Sequence, residues 1–418
     1  MTLVERSNPL GAYIAVTAAY WAFMLSDGAL RMLVLLHFHT LGFSPLQLAY
    51  LFLLYEVMGV ITNLSAGWLA DRFGLTMTLY TGLGLQVAAL LALSQLDPGW
   101  AVGASVVFVM AVQGLSGVAK DLAKMSSKSA VKLLAPAEGG SLFRWVALLT
   151  GSKNAVKGLG FLLGAALLAL AGFQAAVLAM AAVLAVILVS VALFMPAGLP
   201  RGKKGTPFQA IFSKDARINA LSLARMFLFG ARDTWFVVGI PITFYAVLSD
   251  GTVEGNRTAF FLIGTFMALW IILYGAVQAS APKLLGQTQR EAPARAARVW
   301  AVGLAIIPFA LALVSWILGP SQALAGVLAF GLLLFGVVFA INSALHSYLI
   351  LAFSKAERVT LDVGFYYMSN AMGRLLGTLL SGLTIQFGGP VWGVGLCLAV
   401  SSAMVAGSAW AMRRVPEP

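Results

Sequence analysis

The segment GWLADRFGLTMTL, residues 67–79, is a short polar interruption between two long apolar stretches of the chain. Asp71 can cap a helix end or pair with a neighbouring cation, and Gly74 permits a tight turn. Gly67 allows another helix to approach closely. These features predict two long apolar helices joined by a tight polar turn.

The composition extends this prediction to the whole chain. Of its 418 residues, 60% are hydrophobic and 10% are charged. Soluble domains carry about 25% charged residues, so the sequence predicts an integral membrane protein. The first apolar stretch, near residues 10–36, is long enough to span a bilayer, so we expect no cleaved signal peptide. Cys397 is the only cysteine, which excludes an internal disulfide and a cysteine-cluster metal site.

Twelve apolar segments are long enough to cross a membrane as helices, which predicts an all-α membrane protein with twelve transmembrane helices. They lie near residues 11–36, 46–66, 75–95, 100–122, 145–172, 174–195, 218–247, 258–280, 299–318, 321–351, 361–386 and 391–412.

The net charge of +12 is unevenly distributed between the segments. Of the Lys and Arg that lie between the segments, nearly all belong to one set of alternate connections. The other set carries only Arg257. The positive-inside rule then places both termini in the cytoplasm. The basic excess therefore reflects membrane topology, and we expect no nucleic-acid partner.

A long polar connection divides the chain into two halves. We predict an N-terminal six-helix bundle at 1–195, a cytoplasmic linker at 196–217 and a C-terminal six-helix bundle at 218–418. The segment SKNAVKGLG (152–160) resembles SNAMGRLLG (369–377), which indicates an internal repeat. Such repeats are typical of transporters built from two pseudo-symmetric bundles.

Several ionisable residues fall inside the predicted spans, where each charge costs at least about 2.5–3.5 kcal/mol. The cations outnumber the acids, which predicts a cavity that binds a multivalent anion such as a phosphate-like group. The acids Asp27, Glu56 and Asp233 are candidates for proton coupling. The candidate substrate-binding residues are Arg31, Lys120, Lys153, Asn154, Lys157, Arg232, His346, Asn370 and Arg374.

Some of these charges have alternative explanations in the sequence. Lys153 could reach the cytoplasmic interface along its own helix. Asp27 and Arg31 are four residues apart and could neutralise each other on one helix.

Four positions further along the chain are interpreted differently. Arg232 and Asp233 are adjacent and are expected to point in different directions, so each should need its own partner. Arg225 lies near a span end, which favours a structural role. For His346, a polar role inside the bundle is favoured over substrate contact.

The segment around Asp71 resembles the loop motif of the major facilitator superfamily, G-x-L-a-D-R-x-G-R-K. The matching residues are Gly67, Asp71, Arg72 and Gly74, and the resemblance implies that they form a gating loop. Leu75 and Thr76 replace the second basic pair of that motif.

Other stretches resemble one branch of this superfamily, the ArsJ-type organoarsenical efflux permeases. They are YWAFMLSDGALRMLVLLHFHTLGFSPLQLA, LSGVAKDLAKMSSKSAVKLL, RWVALLTGSKNAVKGLGFLLG, FLFGARDTWFVV, ALHSYLI and LDVGFYYMSNAMGRLLG. The resemblance implies export of 1-arseno-3-phosphoglycerate across a bacterial inner membrane, and hence arsenate resistance. It also implies functional pairing with a glyceraldehyde-3-phosphate dehydrogenase, which makes this ester.

Two further interpretations remain open. The chain could transport another phosphorylated organic anion, or it could be a membrane receptor or scaffold without turnover. The sequence contains no HExxH, GxSxG or nucleotide-binding glycine motif, so we predict that it is not an enzyme. We expect a monomer without cofactor or metal. The segment HFH (37–39) was the one candidate metal site, and a surface role is favoured for it.

Overall fold

A computed structural model describes residues 9–73, 75–134, 141–194, 212–285, 291–355 and 359–417. These residues are almost entirely helical. The helices are α1 Pro9–Thr40, α2 Pro45–Phe73, α3 Leu75–Leu93, α4 Val102–Leu134, α5 Ser141–Ala171, α6 Phe173–Phe194, α7 Ala216–Phe236, α8 Gly239–Leu248, α9 Val253–Leu284, α10 Pro293–Leu318, α11 Gln322–Phe353 and α12 Val359–Ala411.

Within the described residues, ten helical segments are long and apolar enough to cross a membrane. One of them, α12, is bent into two arms at Gly389, whose φ is 61°. Pro390 follows this glycine and disfavours a helical conformation in the residue before it. The two arms of α12 correspond to the last two predicted spans, so the predicted all-α membrane fold is confirmed.

The predicted seventh span, 218–247, is not one continuous helix. It is divided between α7 and α8, with a break at Val237 and Val238. Pro241 explains the break, because its ring removes one backbone N–H and clashes with the carbonyl four residues earlier. The α7 helix is also polar for a span, since it carries Arg225, Arg232 and Asp233.

The same helix pairing occurs in both halves of the molecule. In the N-terminal half α5 packs against α1, and in the C-terminal half the first arm of α12 packs against α7. Both contacts are close enough to require glycine. A Cβ at Gly164 would overlap the carbonyl oxygen of Ala29, and one at Gly373 would overlap that of Met226. This correspondence agrees with the internal repeat that the sequence indicates.

The two halves meet along two helix pairs. Here α5 packs against α9, and α2 packs against α12. Phe161 and Ala165 of α5 belong to an apolar cluster formed mostly by α7–α12. A second apolar cluster is formed mostly by α1–α6. The boundary between the halves therefore combines apolar contact along α5 with the charged residues described below.

Some predictions fall on residues that the structure does not describe. Residues 195–211, most of the predicted linker, are among them, so the domain boundaries remain a prediction. Helix α2 ends at Phe73 and α3 begins at Leu75, as expected for a short connection. The candidate gating residues Gly67, Asp71, Arg72 and Gly74 lie outside the described side chains.

The glycine contacts predict a position-dependent effect of adding one methyl group. We expect Gly164→Ala and Gly373→Ala to lower the thermal unfolding midpoint of the purified protein, because each Cβ would force two backbones apart. Gly303→Ala is the matched control, since a Cβ there meets nothing within 4 Å. It should be neutral or slightly stabilising. Equal midpoints for all three variants would contradict the close packing of these helix pairs.

Candidate functional site

A cavity of about 830 Å³ lies between the two halves. Its wall is rich in cations contributed by α1, α4 and α5 of one half and by α7 and α12 of the other. These cations are Arg31, Lys120, Lys124, Lys153, Lys157, Arg225, Arg232 and Arg374. No Asp or Glu occurs among the described residues that line this cavity. The side chains that line the cavity therefore carry an excess of positive charge.

The carboxylates lie behind this wall and hold several of the cations in place. Glu56 on α2 is fully buried and accepts a hydrogen bond from Arg31 at 2.6 Å. It also accepts hydrogen bonds from the guanidinium of Arg374 on α12. One carboxylate therefore joins α1 and α2 of the N-terminal half to α12 of the C-terminal half.

Asp233 on α7 is the corresponding acid in the C-terminal half. Arg232 Nε donates a hydrogen bond to Asp233 Oδ1 at 2.5 Å, and Arg374 Nε lies 3.5 Å from Asp233 Oδ2. The prediction that Arg232 and Asp233 need separate partners was wrong. Although adjacent Cβ atoms on a helix point in different directions, the arginine side chain is long enough to fold back towards its neighbour.

Asp27 on α1 pairs with α5 and does not pair along its own helix. Its Oδ2 accepts a hydrogen bond from Lys157 Nζ at 2.6 Å, and its Oδ1 accepts one from Tyr55 at 2.6 Å. The alternative in which Asp27 neutralises Arg31 is therefore wrong. The reason is the close packing of α1 on α5, where Gly28 lies against the backbone carbonyl of Lys157.

Asp121 on α4 is a fourth buried carboxylate near the cavity. Its oxygens accept hydrogen bonds from Lys124 Nζ at 2.6 Å, Thr62 Oγ1 at 2.6 Å and Asn63 Nδ2 at 3.1 Å. Lys120, one turn before Lys124, instead places its Nζ 4.1 Å from the centre of the Tyr55 ring. The two lysines therefore have different partners although both line the cavity.

Eight of the nine candidate substrate-binding residues line this cavity, including both asparagines, Asn154 and Asn370. The exception is His346 on α11, which is fully buried and does not line it. Neither ring nitrogen of His346 has a hydrogen-bond partner among the described atoms. An interior position is the outcome that the sequence favoured for this residue.

Sequence reasoning missed several residues of the wall. Arg225 was interpreted as structural, yet it lines the cavity. It precedes Arg232 by seven positions, close to two helical turns, so both lie on one face of α7. That spacing was a usable signal. The polar wall residues Tyr20, Tyr274, Gln278 and Tyr367 gave no comparable signal in the sequence.

The histidines of the HFH segment have aromatic neighbours. His37 stacks on Phe173 with ring centres 4.0 Å apart, and His39 meets Tyr245 edge to face at 4.9 Å. Across the part of the chain that the structure describes, no group of three or more His, Cys, Asp and Glu side chains could hold a metal ion.

Comparison with known protein families identifies the family of this chain. Residues 14–350 match the family model described as Major Facilitator Superfamily. The chain belongs to the Major Facilitator Superfamily. It is therefore a multi-pass membrane protein and a secondary transporter by family. A search of curated protein sequences found no match.

Solved structures of other transporters share the fold of this superfamily member. A POT family transporter in complex with a thioalcohol-conjugated peptide is similar with a TM-score of 0.72 and 15% identity, covering 96% of this chain and 94% of that chain. The nucleoside transporter NupG, as the D323A mutant, gives a TM-score of 0.71 and 15% identity, covering 97% of this chain and 99% of that chain. At this identity the likeness concerns the fold alone.

The shared carboxylate Glu56 yields a prediction about stability. Glu56→Gln leaves Arg31 and Arg374 buried without their common partner, so we expect a clear fall in the thermal unfolding midpoint. Breaking a buried ion pair costs about 3–5 kcal/mol. The double variant Glu56→Gln/Arg374→Gln should recover much of this loss, because it also removes one of the two cations that Glu56 held.

The control for this experiment is Glu254→Gln. Glu254 is exposed in the first turn of α9, so its neutralisation should change the midpoint little. A midpoint for Glu56→Gln equal to that of the Glu254→Gln control would contradict the structural role of Glu56.

Proposed function

We propose that this transporter exports a small organic anion that carries phosphate-like groups, and that this substrate is 1-arseno-3-phosphoglycerate. The observation that carries the proposal is the composition of the cavity wall. Eight Lys and Arg from both halves line it, and no Asp or Glu occurs among its described residues. A neutral or cationic substrate would gain nothing from such a wall.

The types of cation favour tetrahedral oxyanions. Arg31, Arg232 and Arg374 offer planar forks that match two oxygens of one phosphate-like group, whereas Lys120 and Lys157 act as point charges. A volume of about 830 Å³ is within the usual range for small-molecule sites and leaves room for water around a three-carbon ester. Asn154 and Asn370 add neutral hydrogen-bonding groups to the same wall.

The choice of the arsenate ester rests on the stretches that resemble the ArsJ-type permeases. Another phosphorylated organic anion would use the same cations, so it is the main alternative. A receptor or scaffold is disfavoured, because a protein without a substrate gains nothing from burying these charges. We further propose a bacterial inner-membrane location, a monomeric state in the bilayer, and functional pairing with a glyceraldehyde-3-phosphate dehydrogenase.

The buried acids offer a route for proton coupling. Asp27, Glu56 and Asp233 each hold at least one cavity cation. Protonation of such an acid would release its cation towards the substrate, and arrival of the substrate would in turn favour protonation of the acid. These three residues are our candidates for coupling transport to a proton gradient.

The first test of this function compares two oxidation states of arsenic. Cells that express the transporter together with a glyceraldehyde-3-phosphate dehydrogenase should grow at higher arsenate concentrations than cells that express the dehydrogenase alone. Their resistance to arsenite should change little, because arsenite does not form this ester. Equal protection against both, or against neither, would contradict the organoarsenical proposal.

A second test concerns the pair of Lys157 and Asp27. Lys157→Met alone would leave Asp27 buried without a cation, so a loss of binding could reflect misfolding. The double variant Asp27→Asn/Lys157→Met removes both charges and should stay folded. We expect it to bind 3-phosphoglycerate at least about tenfold more weakly than the unmodified protein, which corresponds to about 1.4 kcal/mol.

The control for this experiment is Lys283→Met, because Lys283 is exposed near the end of α9. Isothermal titration with parallel melting curves gives both readouts. Unchanged affinity in a folded double variant would remove Lys157 from the substrate site.

A further inference from the structure

Two of the cavity cations, Lys120 and Arg225, differ from those held by carboxylates. Among the described residues, neither has a carboxylate oxygen within 4.0 Å. Both are buried, with 6% and 3% of their surfaces exposed. Lys120 belongs to α4 of the N-terminal half, and Arg225 belongs to α7 of the C-terminal half. Each half therefore presents a buried cation that forms no direct ion pair with any residue the structure describes.

The surroundings of Lys120 explain why it has no carboxylate partner among the described residues. Asp121 is next to it in sequence, but both oxygens of Asp121 already accept hydrogen bonds from Lys124, Thr62 and Asn63. Lys120 instead lies over the face of Tyr55, whose hydroxyl donates to Asp27. A cation–π contact offsets only part of the cost of burying an ammonium group.

Arg225 is fixed more rigidly. Its guanidinium carbon lies 3.9 Å from the centre of the Phe229 ring and 5.0 Å from that of Tyr366. Its Nη1 donates to the backbone oxygen of Ser343 at 3.2 Å and to its Oγ at 3.0 Å. Its Nε has no hydrogen-bond partner among the described atoms. Nη1 therefore orients the guanidinium, while the buried Nε is left without a hydrogen bond to any described atom.

Neutral polar groups lie beside this fork on the cavity wall. Gln278 Nε2 donates to Ser343 Oγ at 3.2 Å, and the hydroxyl of Tyr274 lies 3.3 Å from the same oxygen. Tyr274, Gln278 and Arg225 all line the cavity. Arg225, Tyr274 and Gln278 therefore all contact Ser343, which holds the three side chains together at one place on the cavity wall.

We propose that Arg225, Tyr274 and Gln278 form an oxyanion subsite in the C-terminal half, and that Lys120 anchors a separate oxyanion subsite in the N-terminal half. The inference rests on the proposed transport of an organic anion and specifies its substrate class. The substrate carries two anionic groups at opposite ends, one for each half of the transporter. A buried cation without a counter-ion is costly, and each end of such a substrate removes one of these costs.

This arrangement makes selectivity depend on the number of anionic groups. A ligand with one phosphate can occupy one subsite and leaves the other cation uncompensated. We expect a ligand with two phosphates to satisfy both cations and to connect the two halves. The cations held by carboxylates contribute to the electrostatic field of the cavity. Lys120 and Arg225 instead make the affinity depend on how many anionic groups the ligand carries.

The test uses two stable probes, propane-1,3-diol bisphosphate and glycerol 3-phosphate, and the purified full-length protein. The unmodified protein should bind the bisphosphate at least about tenfold more tightly than the monophosphate. In Arg225→Gln the bisphosphate should lose this advantage and bind about as weakly as the monophosphate. The monophosphate itself should lose no more than about twofold, because the Lys120 subsite remains.

Four further variants complete the design. Lys120→Gln should show the same loss of selectivity as Arg225→Gln, and the double variant should bind both probes more weakly than either single variant. Arg225→Lys keeps the charge without the fork and should regain part of the bisphosphate affinity. Arg217→Gln is the matched control, because Arg217 is 42% exposed, pairs with Asp215 and does not line the cavity. It should leave both affinities unchanged.

The possible failures are distinguishable. Equal affinity of the unmodified protein for both probes, or retention of bisphosphate selectivity in a folded Arg225→Gln, would overturn the two-subsite proposal while leaving anion transport intact. Failure to bind either probe would overturn the proposed function as well. Melting curves identify variants that do not fold. If Arg225→Gln does not fold, Lys120→Gln decides the question. Loss of bisphosphate selectivity in that variant supports the proposal, and retained selectivity overturns it.

Discussion

The buried carboxylate of Glu56 is the contact on which the charged centre of this protein depends. It accepts hydrogen bonds from Arg31 of its own half and from Arg374 of the opposite half. In a low-dielectric interior neither arginine could remain charged at low cost without such a partner. Glu56 is fully buried, whereas its two arginine partners line the cavity. The acid therefore neutralises the arginines from the side away from the cavity. The ion pair therefore joins the two halves and shapes the site in one contact.

The same principle organises the other cations into two kinds. Lys157, Lys124 and Arg232 are each held by a buried acid, which makes them stable in an empty cavity. Lys120 and Arg225 are supported by aromatic rings and neutral hydrogen bonds. Cations of the first kind can provide a field at little cost to the fold. Cations of the second kind are stabilised most when an anion binds beside them. The cavity therefore favours anionic ligands over neutral ones.

Helix packing sets the positions of these charges. Glycine contacts bring α5 against α1 and α12 against α7, and the basic residues of α5 and α12 lie on the same stretches as those glycines. The repeated pairing therefore carries Lys157 and Arg374 to related places in the two halves. Membrane helices gain little from hydrophobic contact with one another, so close backbone approach through small residues is the means by which such positions are fixed.

The sequence by itself determined the membrane class, the helical spans, the repeat, and most of the cations that line the cavity. These features depend on composition and on local depth in a span, and both can be read along the chain. It did not determine which residues the cations pair with, and its expectations for Asp27 and Arg232 were wrong. Asp27 pairs with Lys157 and not with Arg31, and Arg232 pairs with Asp233 although the two are adjacent. Arg225 lies near a span end, yet it lines the cavity because the face of α7 that carries it borders the cavity. Those choices depend on which helices touch and on how far a side chain can bend, and only the tertiary structure decides either.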